Sequence, residues 1–255
     1  MTNRPYLLSE VSWKTVKETD YEVVILPWGA TEAHNYHLPY TTDNIHTEYV
    51  AAEAAKIAWS KGAKSIVLPN VPYGVNTGQL EIKLTINMSP STQISVLNDI
   101  IDSVVRQGLK KVVIFNGHGG NEFKPIVREL QPEFKDIFIC VINWYEVVDW
   151  SKYFDDTGDH ASEMETSIML NIAPELVAPL SEAGEGKTRK LKFSKKGFDF
   201  VWAPRDWEKI SADTGSGNPA KATEEKGEKY LKESITKIAD FLVDLAATSL
   251  DQLYV

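Results

Sequence analysis

Four of the five histidines of this 255-residue chain lie in three short stretches that also contain carboxylates. The first, LPWGATEAHNYHLPYTTD, contains Glu32, His34, His37 and Asp43. Imidazole and carboxylate groups are the donors that a divalent transition metal needs, and the spacing of Glu32 and His34 directs both to the same side of an extended segment. Asp43 carries two oxygens and could therefore bridge two metal ions about 3.5 to 4 Å apart. A surface or capping role stays open for each of these side chains taken alone.

The second stretch, FNGHGGNEF, follows the apolar run KKVVIF and surrounds His118 with glycines. Gly117, Gly119 and Gly120 leave the main chain open to a ligand and permit a sharp turn, and free N–H groups there can face an oxyanion. His118 is then the side chain that points into the site, and Gly119, Gly120 and Asn121 are candidate substrate contacts. Capping of the next helix is an equally good interpretation of Asn121.

The third stretch, DDTGDHASEMETSIML, places His160 and Glu163 three residues apart at the expected start of a helix. That spacing puts both on one helical face and turns Glu165 away from it. One of the pair can then bind a metal while the other carries a proton. The alternative is that Asp159 and Glu163 only complement the positive end of the helix dipole.

Apolar runs of strand length alternate with helical stretches in the first 150 residues. Strands are expected in EVVILPWG, SIVLPNVPYG, KKVVIFNG and DIFICVINWY, and helices over about 45–62, 91–108 and 123–130. Continuous Val, Ile and Leu runs suit strands buried on both faces, so the sequence predicts an α/β fold with a parallel sheet. Ligands collect beyond the carboxyl ends of such strands, where Glu32, His34 and His118 are found.

The pattern changes after residue 149. Helices are expected over 162–172 and about 219–250, and between them residues 181–213 form a polar, lysine-rich stretch that is too long for an ordinary connection. This stretch is interpreted either as a lid over the site or as an arm that reaches another subunit. The whole chain, 1–255, is expected to form a single domain, since its length is within the range of one large α/β domain.

Composition excludes several classes of partner. The formal net charge of −9 opposes binding to a nucleic acid or an anionic membrane surface, because both need clustered Lys and Arg. The sequence has no apolar stretch approaching about 18 residues, and the single cysteine, Cys140, cannot form an internal disulfide. A cytoplasmic protein is therefore expected, with Cys140 as a buried structural thiol.

Four segments, LPWGATEAHNYHLPYTTD, NGHGGN, HASEMETSIML and GSGNPAKATEEKG, together resemble the creatininase family and follow that family's order from about residue 23 to 227. The resemblance implies a three-layer α/β/α sandwich with a mainly parallel sheet. It also implies a centre of two divalent metal ions, usually zinc, manganese or iron, that hydrolyses a carbon–nitrogen amide bond of a small molecule. A homo-oligomer, commonly a hexamer, is expected by the same resemblance.

The same resemblance implies roles for individual residues. Glu32, His34, Asp43 and His118 match metal ligands, with Asp43 as the bridge, and His160 matches the catalytic histidine. Creatininase has its last ligand, a glutamate, two residues after the histidine of NGH, where this chain has Gly120. Glu163 is expected to replace that ligand. Hydroxide bound to the metals would attack the amide carbon, and His160 would pass a proton to the leaving nitrogen.

Departures from the family predict a substrate other than creatinine. The two tryptophans that hold the creatinine ring correspond here to Tyr145 and Asp156, with Trp144 beside the first as a replacement. The stretch GVNTGQLEIKLTINMSPST lacks the His and the Phe-Pro-Gly of the family pattern GxSxxHxxFPGTxSLxPxT. A cyclic amide, a formamide or a peptide remains open as substrate. Two further alternatives remain open. One is a metallophosphatase, although the three stretches that contain the candidate metal ligands have no Arg or Lys to bind a phosphate. The other is a non-catalytic protein that binds a metal or ligand on the same fold.

Overall fold

The computed structural model describes residues 4–156 and 158–254. Its centre is a four-stranded parallel sheet in the order β2-β1-β3-β4. The strands are β1 (Val23–Trp28), β2 (Ser65–Val67), β3 (Lys111–Asn116) and β4 (Phe138–Asn143). Each lies within one of the four predicted apolar runs. The run at 65–74 gives only a three-residue strand, because Pro69 and Pro72 cannot donate to a ladder of hydrogen bonds.

Helices connect the strands and complete the chain. They are α1 (Trp13–Lys17), α2 (Thr42–Ser60), α3 (Pro90–Arg106), α4 (Phe123–Leu130), α5 (Glu163–Ile172), α6 (Trp207–Ile210) and α7 (Glu224–Ala247). The long C-terminal helix begins later than predicted, because the Thr223 side chain accepts a hydrogen bond from the Lys226 N–H at 3.3 Å and caps it. None of the helices in these ranges combines the length and apolar composition needed to cross a bilayer.

Alternating strand residues build two apolar cores, one on each face of the sheet. Val23 and Ile25 of β1 face a core shared with α2, α5 and α7, whereas Val24 and Leu26 face a core shared with α3 and α4. A sheet covered on both faces needs apolar residues at consecutive positions, which is why the strands have continuous apolar sequences. The predicted three-layer α/β/α architecture with a parallel sheet is confirmed.

The carboxyl ends of β1 and β3 lie side by side in this sheet, with Trp28 in register with Asn116. The loops that follow these strands therefore meet at one edge and bring their polar residues together. Cys140 lies within β4, where burial raises the pKa of its thiol to about 12. Such a thiol is a structural group, not a nucleophile.

Candidate metal centre

The loop after β1 and the start of α2 bury three polar side chains at the edge of the sheet. Glu32, His34 and Asp43 are each at most 3% exposed, although none is apolar. Asp43 lies in the first turn of α2, and its two oxygens face different histidines. Oδ1 is 3.2 Å from Nε2 of His34, and Oδ2 is 3.0 Å from Nδ1 of His118 in the loop after β3. Asp43 thus stands between two imidazoles.

Glu32 joins a second pair of histidines. Its Oε1 lies 3.1 Å from Nδ1 of His118 and 3.6 Å from Nδ1 of His160. Within the described residues, three sets of donor atoms are close enough to hold a metal ion, with all atoms of a set within 4.8 Å of one another. The sets are Glu32–Asp43–His118, His34–Asp43–Glu165 and Glu32–His34–His160. Glu32, His34 and Asp43 each belong to two of these sets, and Asp43 is the one whose two oxygens face different histidines, as those of a bridging carboxylate would.

The three histidines are oriented by main-chain carbonyl groups. His34 Nδ1, His118 Nε2 and His160 Nε2 lie 3.1, 3.1 and 2.8 Å from the oxygens of Glu32, Val75 and Ala33. Because a carbonyl only accepts, each of these nitrogens must carry the proton, and the other nitrogen of each neutral ring presents a lone pair toward the carboxylates. A lone pair facing a carboxylate needs a cation or an extra proton between them. This donor set therefore fits a divalent metal.

The electrostatics of the site support this fit. Burial opposes charge on His34, yet the adjacent Asp43 carboxylate outweighs it and raises the pKa of the imidazole to about 10. The pKa of His118 is likewise raised well above its usual value, against burial, by Glu32 and Asp43. Burial would raise the pKa of Asp43, but His34 and His118 hold it well below its usual range. Positive charge is stabilised between these carboxylates, which is what a metal ion supplies.

The structure corrects the prediction for Glu163 and Glu165. Glu163 is fully buried away from the histidines: its Oε2 accepts hydrogen bonds from the N–H groups of Asp155 and Asp156, both at 2.9 Å, and its Oε1 pairs with Lys226. Glu165, which was expected to turn away, belongs to the set with His34 and Asp43. Its Oε1 is 4.0 Å from His34 Nε2. Glu165, not Glu163, is therefore the carboxylate of α5 that lies beside His34 and Asp43.

A turn before α5 explains why Glu165, and not Glu163, faces the histidines. The predicted spacing of His160 and Glu163 assumed a helix over both residues, but α5 begins at Glu163 and Ala161 has φ +49°. This left-handed residue reverses the chain direction, so helical periodicity does not extend back to His160. The Ala161 N–H donates to Oε2 of Glu165 and fixes that side chain at the turn. Burial raises the pKa of Glu165 to about 7.

Gly120 explains why the glutamate of creatininase has no counterpart here. A Cβ at this position would lie 2.4 Å from both Nε2 of His118 and the main-chain oxygen of Val75, so any side chain would disrupt their hydrogen bond. Gly119 is different, since a Cβ there would meet open space. Both glycines are exposed, and within residues 4–156 and 158–254 neither of their N–H groups donates a hydrogen bond.

Asn121 has a structural role that neither interpretation of the sequence included. Its Oδ1 accepts from the Val75 N–H at 3.0 Å and from Gln93 Nε2 at 2.8 Å, and its Nδ2 donates to Asn116 Oδ1 at 3.1 Å. The helix cap is the next residue, Glu122, whose side chain makes no capping bond. Asn121 joins three loops at the edge of the sheet, which leaves no free group for a substrate.

Trp144 and Tyr145 follow β4 and differ in their exposure. Trp144 is 2% exposed and packs edge-on against His46 inside the core, so it presents no face to a substrate. The prediction that it contacts substrate is therefore wrong for this structure. Tyr145 is half-buried, and its main-chain oxygen accepts a hydrogen bond from Tyr230. His46 is itself buried, and burial lowers the pKa of its imidazole to about 3.

His37 and Trp207 support the site from two sides. Nε2 of His37 lies 2.8 Å from the Thr166 hydroxyl of α5, and burial lowers the pKa of this imidazole to about 4. Trp207 of α6 was missed by the sequence reasoning. Its ring centroid is 4.7 Å from that of His160, and Arg205 beside it pairs with Asp159. No local pattern indicates that residues 205–207 return to a site about 45 residues upstream.

Comparison with known proteins agrees with this architecture. The family model described as creatininase, creatinine amidohydrolase, matches residues 9–242. The creatinine amidohydrolase of Pseudomonas putida is 26% identical over 69% of this chain and 75% of its own length. The mycofactocin precursor peptide peptidase of Mycolicibacterium smegmatis is 27% identical over 86% of this chain and 83% of its own.

Solved structures agree in the same way. A Bacteroides fragilis protein, solved under the provisional name creatinine amidohydrolase, superposes with a TM-score of 0.93 at 44% identity and covers 98% of this chain and 99% of its own. A Zn–Zn form of a creatininase variant, E122Q, superposes with a TM-score of 0.79 at 23% identity. The match covers 95% of this chain and 99% of the variant, which shows the same fold. The chain belongs to the creatininase family, whose members are hydrolases acting on carbon–nitrogen bonds.

Proposed function

We propose that this chain is a two-metal amidohydrolase that cleaves a carbon–nitrogen bond of a small molecule. The observation that carries the proposal is the position of Asp43, whose two oxygens face His34 Nε2 and His118 Nδ1 at 3.2 and 3.0 Å. A bridging carboxylate between two imidazoles suits a pair of divalent ions, because each oxygen can bind one of them. Zinc, manganese and iron all accept such nitrogen and oxygen donors.

The donors divide into two positions that share Asp43. One would use Glu32, Asp43 and His118, and the other His34, Asp43 and Glu165. When bound, the two ions would lower the pKa of water toward about 7 and polarise the amide carbonyl. The protein holds the donors in place through the carbonyl groups that accept from the histidines, and it buries them so that their attraction for a cation is strong.

His160 is proposed as the proton carrier. Its Nε2 is committed to the Ala33 carbonyl at 2.8 Å, so Nδ1 is the atom that can accept or release a proton. Burial and the nearby His34 lower the pKa of its imidazole, which keeps the ring neutral at pH 7 and able to accept a proton at Nδ1. The Trp207 ring, 4.7 Å from the His160 ring, restricts its motion.

The open main chain at Gly119 and Gly120 is proposed to face the reacting carbonyl. Two exposed N–H groups that donate to no described residue could stabilise a developing oxyanion. Trp144 and Asn121 are left out of the substrate contacts, because one lies in the core and the other uses its groups within the loops. Tyr145 remains a candidate wall of the substrate site.

Exposed aromatic side chains support a homo-oligomer, which the family resemblance gave as a hexamer. Phe200 and Trp202 in the 181–213 segment are 82% and 84% exposed, and Phe193 and Phe198 are also exposed. Large apolar groups in one surface segment are typical of an interface. We propose that this segment is an arm which packs on another copy while α6 holds it at the site. Light scattering on the purified protein tests this.

The proposed reaction is tested by metal content and turnover together. Purified protein would be analysed by elemental mass spectrometry and assayed, with added manganese or zinc, on creatinine, formamido-pyrimidines and short peptides. We expect about two ions per chain and hydrolysis of one of these classes, detected as creatine from creatinine, as formate plus an amine from a formamido-pyrimidine, or as two fragments from a peptide. A protein that binds no divalent ion under these conditions would instead be a non-catalytic relative on the same fold.

A further inference from the structure

Gln79 lies directly behind the candidate metal centre. It ends a short 3-10 turn, Thr77–Gln79, and is 3% exposed. The turn is held firmly: the Gln79 N–H donates to the Asn76 oxygen at 2.9 Å, and a Cβ on Gly78 would lie 1.9 Å from the Arg205 oxygen. Gln79 is therefore held between Asn76 on one side and Arg205 of the 181–213 segment on the other, and its side chain has little freedom to move.

The two oxygens of Glu32 have different partners because of Gln79. The Gln79 Nε2 donates a hydrogen bond to Oε2 of Glu32. Oε1 is thereby left to face His118 Nδ1 at 3.1 Å and His160 Nδ1 at 3.6 Å, on the side of the proposed metals. A hydrogen bond to the outer oxygen of a ligand carboxylate fixes the direction of the inner one.

The orientation of the Gln79 amide leaves one of its polar atoms without a hydrogen bond, which costs stability. Its Oε1 is buried and finds no hydrogen-bond partner among the described residues. A buried acceptor without a donor destabilises a fold, so the bond from Nε2 to the Glu32 carboxylate must offset this loss. The amide cannot be reversed to satisfy Oε1, because its oxygen would then face a carboxylate oxygen.

A neutral amide also suits the charge balance. A cationic donor would compete with a metal for the Glu32 carboxylate, whereas an amide donates a hydrogen bond and adds no charge. In the register of the pattern GxSxxHxxFPGT on GVNTGQLEIKLT, Gln79 occupies the place of the histidine. The amide donor is independent of pH, which an imidazole is not.

We propose that Gln79 is a positioning residue that directs Glu32 toward one of the two metal positions, the one formed with Asp43 and His118. The inference rests on the proposed two-metal function and concerns a single position within it. The position formed by His34, Asp43 and Glu165 contains no atom in contact with Gln79. Loss of Gln79 should therefore weaken one binding step and spare the other.

The test is a manganese titration of metal-free protein by calorimetry, for the wild type and three variants. Gln79→Leu removes the donor at similar volume, and Gln79→Asn keeps an amide that is one methylene too short. Gln93→Leu is the matched control: Gln93 is equally buried, also leaves its Oε1 without a partner among the described residues, and donates to Asn121, not to a ligand. Circular dichroism melting shows that each variant is folded.

For both Gln79 variants we expect one of two binding steps to weaken about 10- to 100-fold, while Gln93→Leu retains both affinities. Unchanged affinities in a folded Gln79→Leu or Gln79→Asn protein would overturn the positioning role. So would an equal loss in Gln93→Leu, which would show a general effect of removing a buried amide. A wild type that binds neither manganese nor, in a parallel titration, zinc would refute the two-metal proposal itself, which is a separate outcome.

Discussion

Glu163 and Glu165 are two residues apart in the first turn of α5, yet they have opposite surroundings. Glu163 is fully buried against a lysine and two main-chain N–H groups, so its charge is compensated within the fold. Glu165 faces His34 and Asp43, and its pKa is raised to about 7 by burial. The Glu163 carboxylate has its hydrogen-bond and charge partners within the protein, whereas the charge of the Glu165 carboxylate would be stabilised by a bound cation. Chemical identity alone does not separate a structural acid from a candidate ligand.

The first prediction tests this contrast at the metals. Glu165→Gln keeps the shape but removes the negative oxygen beside His34, so we expect the metal content to fall from about two ions per chain to about one and turnover to fall more than about 100-fold. Glu163→Gln is the matched control, with the same change two residues away. Elemental analysis and steady-state rates measure both variants.

The opposite result would restore the original prediction. If Glu163→Gln lost a metal ion while Glu165→Gln kept both, the ligand would be Glu163, and the arrangement of the turn in solution would have to differ. Similar metal loss in both variants would indicate that the first turn of α5 acts as one unit.

The second prediction concerns the stability of the same pair. Glu163→Gln leaves Lys226 without its buried partner and weakens two hydrogen bonds from Asp155 and Asp156. Breaking a buried ion pair costs several kcal/mol, but the Lys226 side chain is 29% exposed and partly screened, so we expect a loss of about 2 kcal/mol. Urea denaturation of metal-free protein measures it.

Glu165→Gln serves as the comparison in that experiment. Removing a charge from the cluster of Glu32, Asp43 and Glu165 reduces like-charge repulsion when no metal is bound. Metal-free Glu165→Gln should therefore be at least as stable as the wild type. A destabilised Glu165→Gln together with an unaffected Glu163→Gln would contradict the roles given to the two acids.

The sequence was sufficient to predict which residues meet at the edge of the sheet, but not the turn at Ala161 before α5. Glu32, His34, Asp43 and His118 follow strands, and parallel strands necessarily bring their carboxyl ends to one edge, so their meeting could be predicted. The partners of Glu163 and Glu165 depend on the left-handed Ala161, and alanine carries no signal for that conformation. Lys226 and Trp207 reach the site region from about 45 to 60 residues further along the chain, which local patterns cannot show.

A third prediction makes the same comparison for the neighbours Trp144 and Tyr145. Trp144→Phe should cost about 1 kcal/mol, since it reduces packing in the core but also removes the Trp144 Nε1 donor, which is buried without a partner among the described residues. We expect KM to stay within about twofold of the wild type. A KM increase of tenfold or more for Trp144→Phe would show that the indole reaches the substrate, as the sequence had suggested.

The smallest expected effect concerns left-handed residues. Leu84 has φ +63° and is 80% exposed, at a place where the family pattern has glycine. Leu84→Gly removes the steric cost of that conformation without losing buried surface, so we expect a gain of about 0.5 to 1 kcal/mol in the free energy of unfolding. Ala161→Gly relieves a similar conformation but deletes a fully buried methyl group, so its net change should be near zero. Thermal melts of the two variants show whether the turn before α5 is strained. A gain in stability for Ala161→Gly as large as that for Leu84→Gly would mean that the buried methyl group contributes little. The wild-type chain would then tolerate backbone strain that holds Glu165 beside His34.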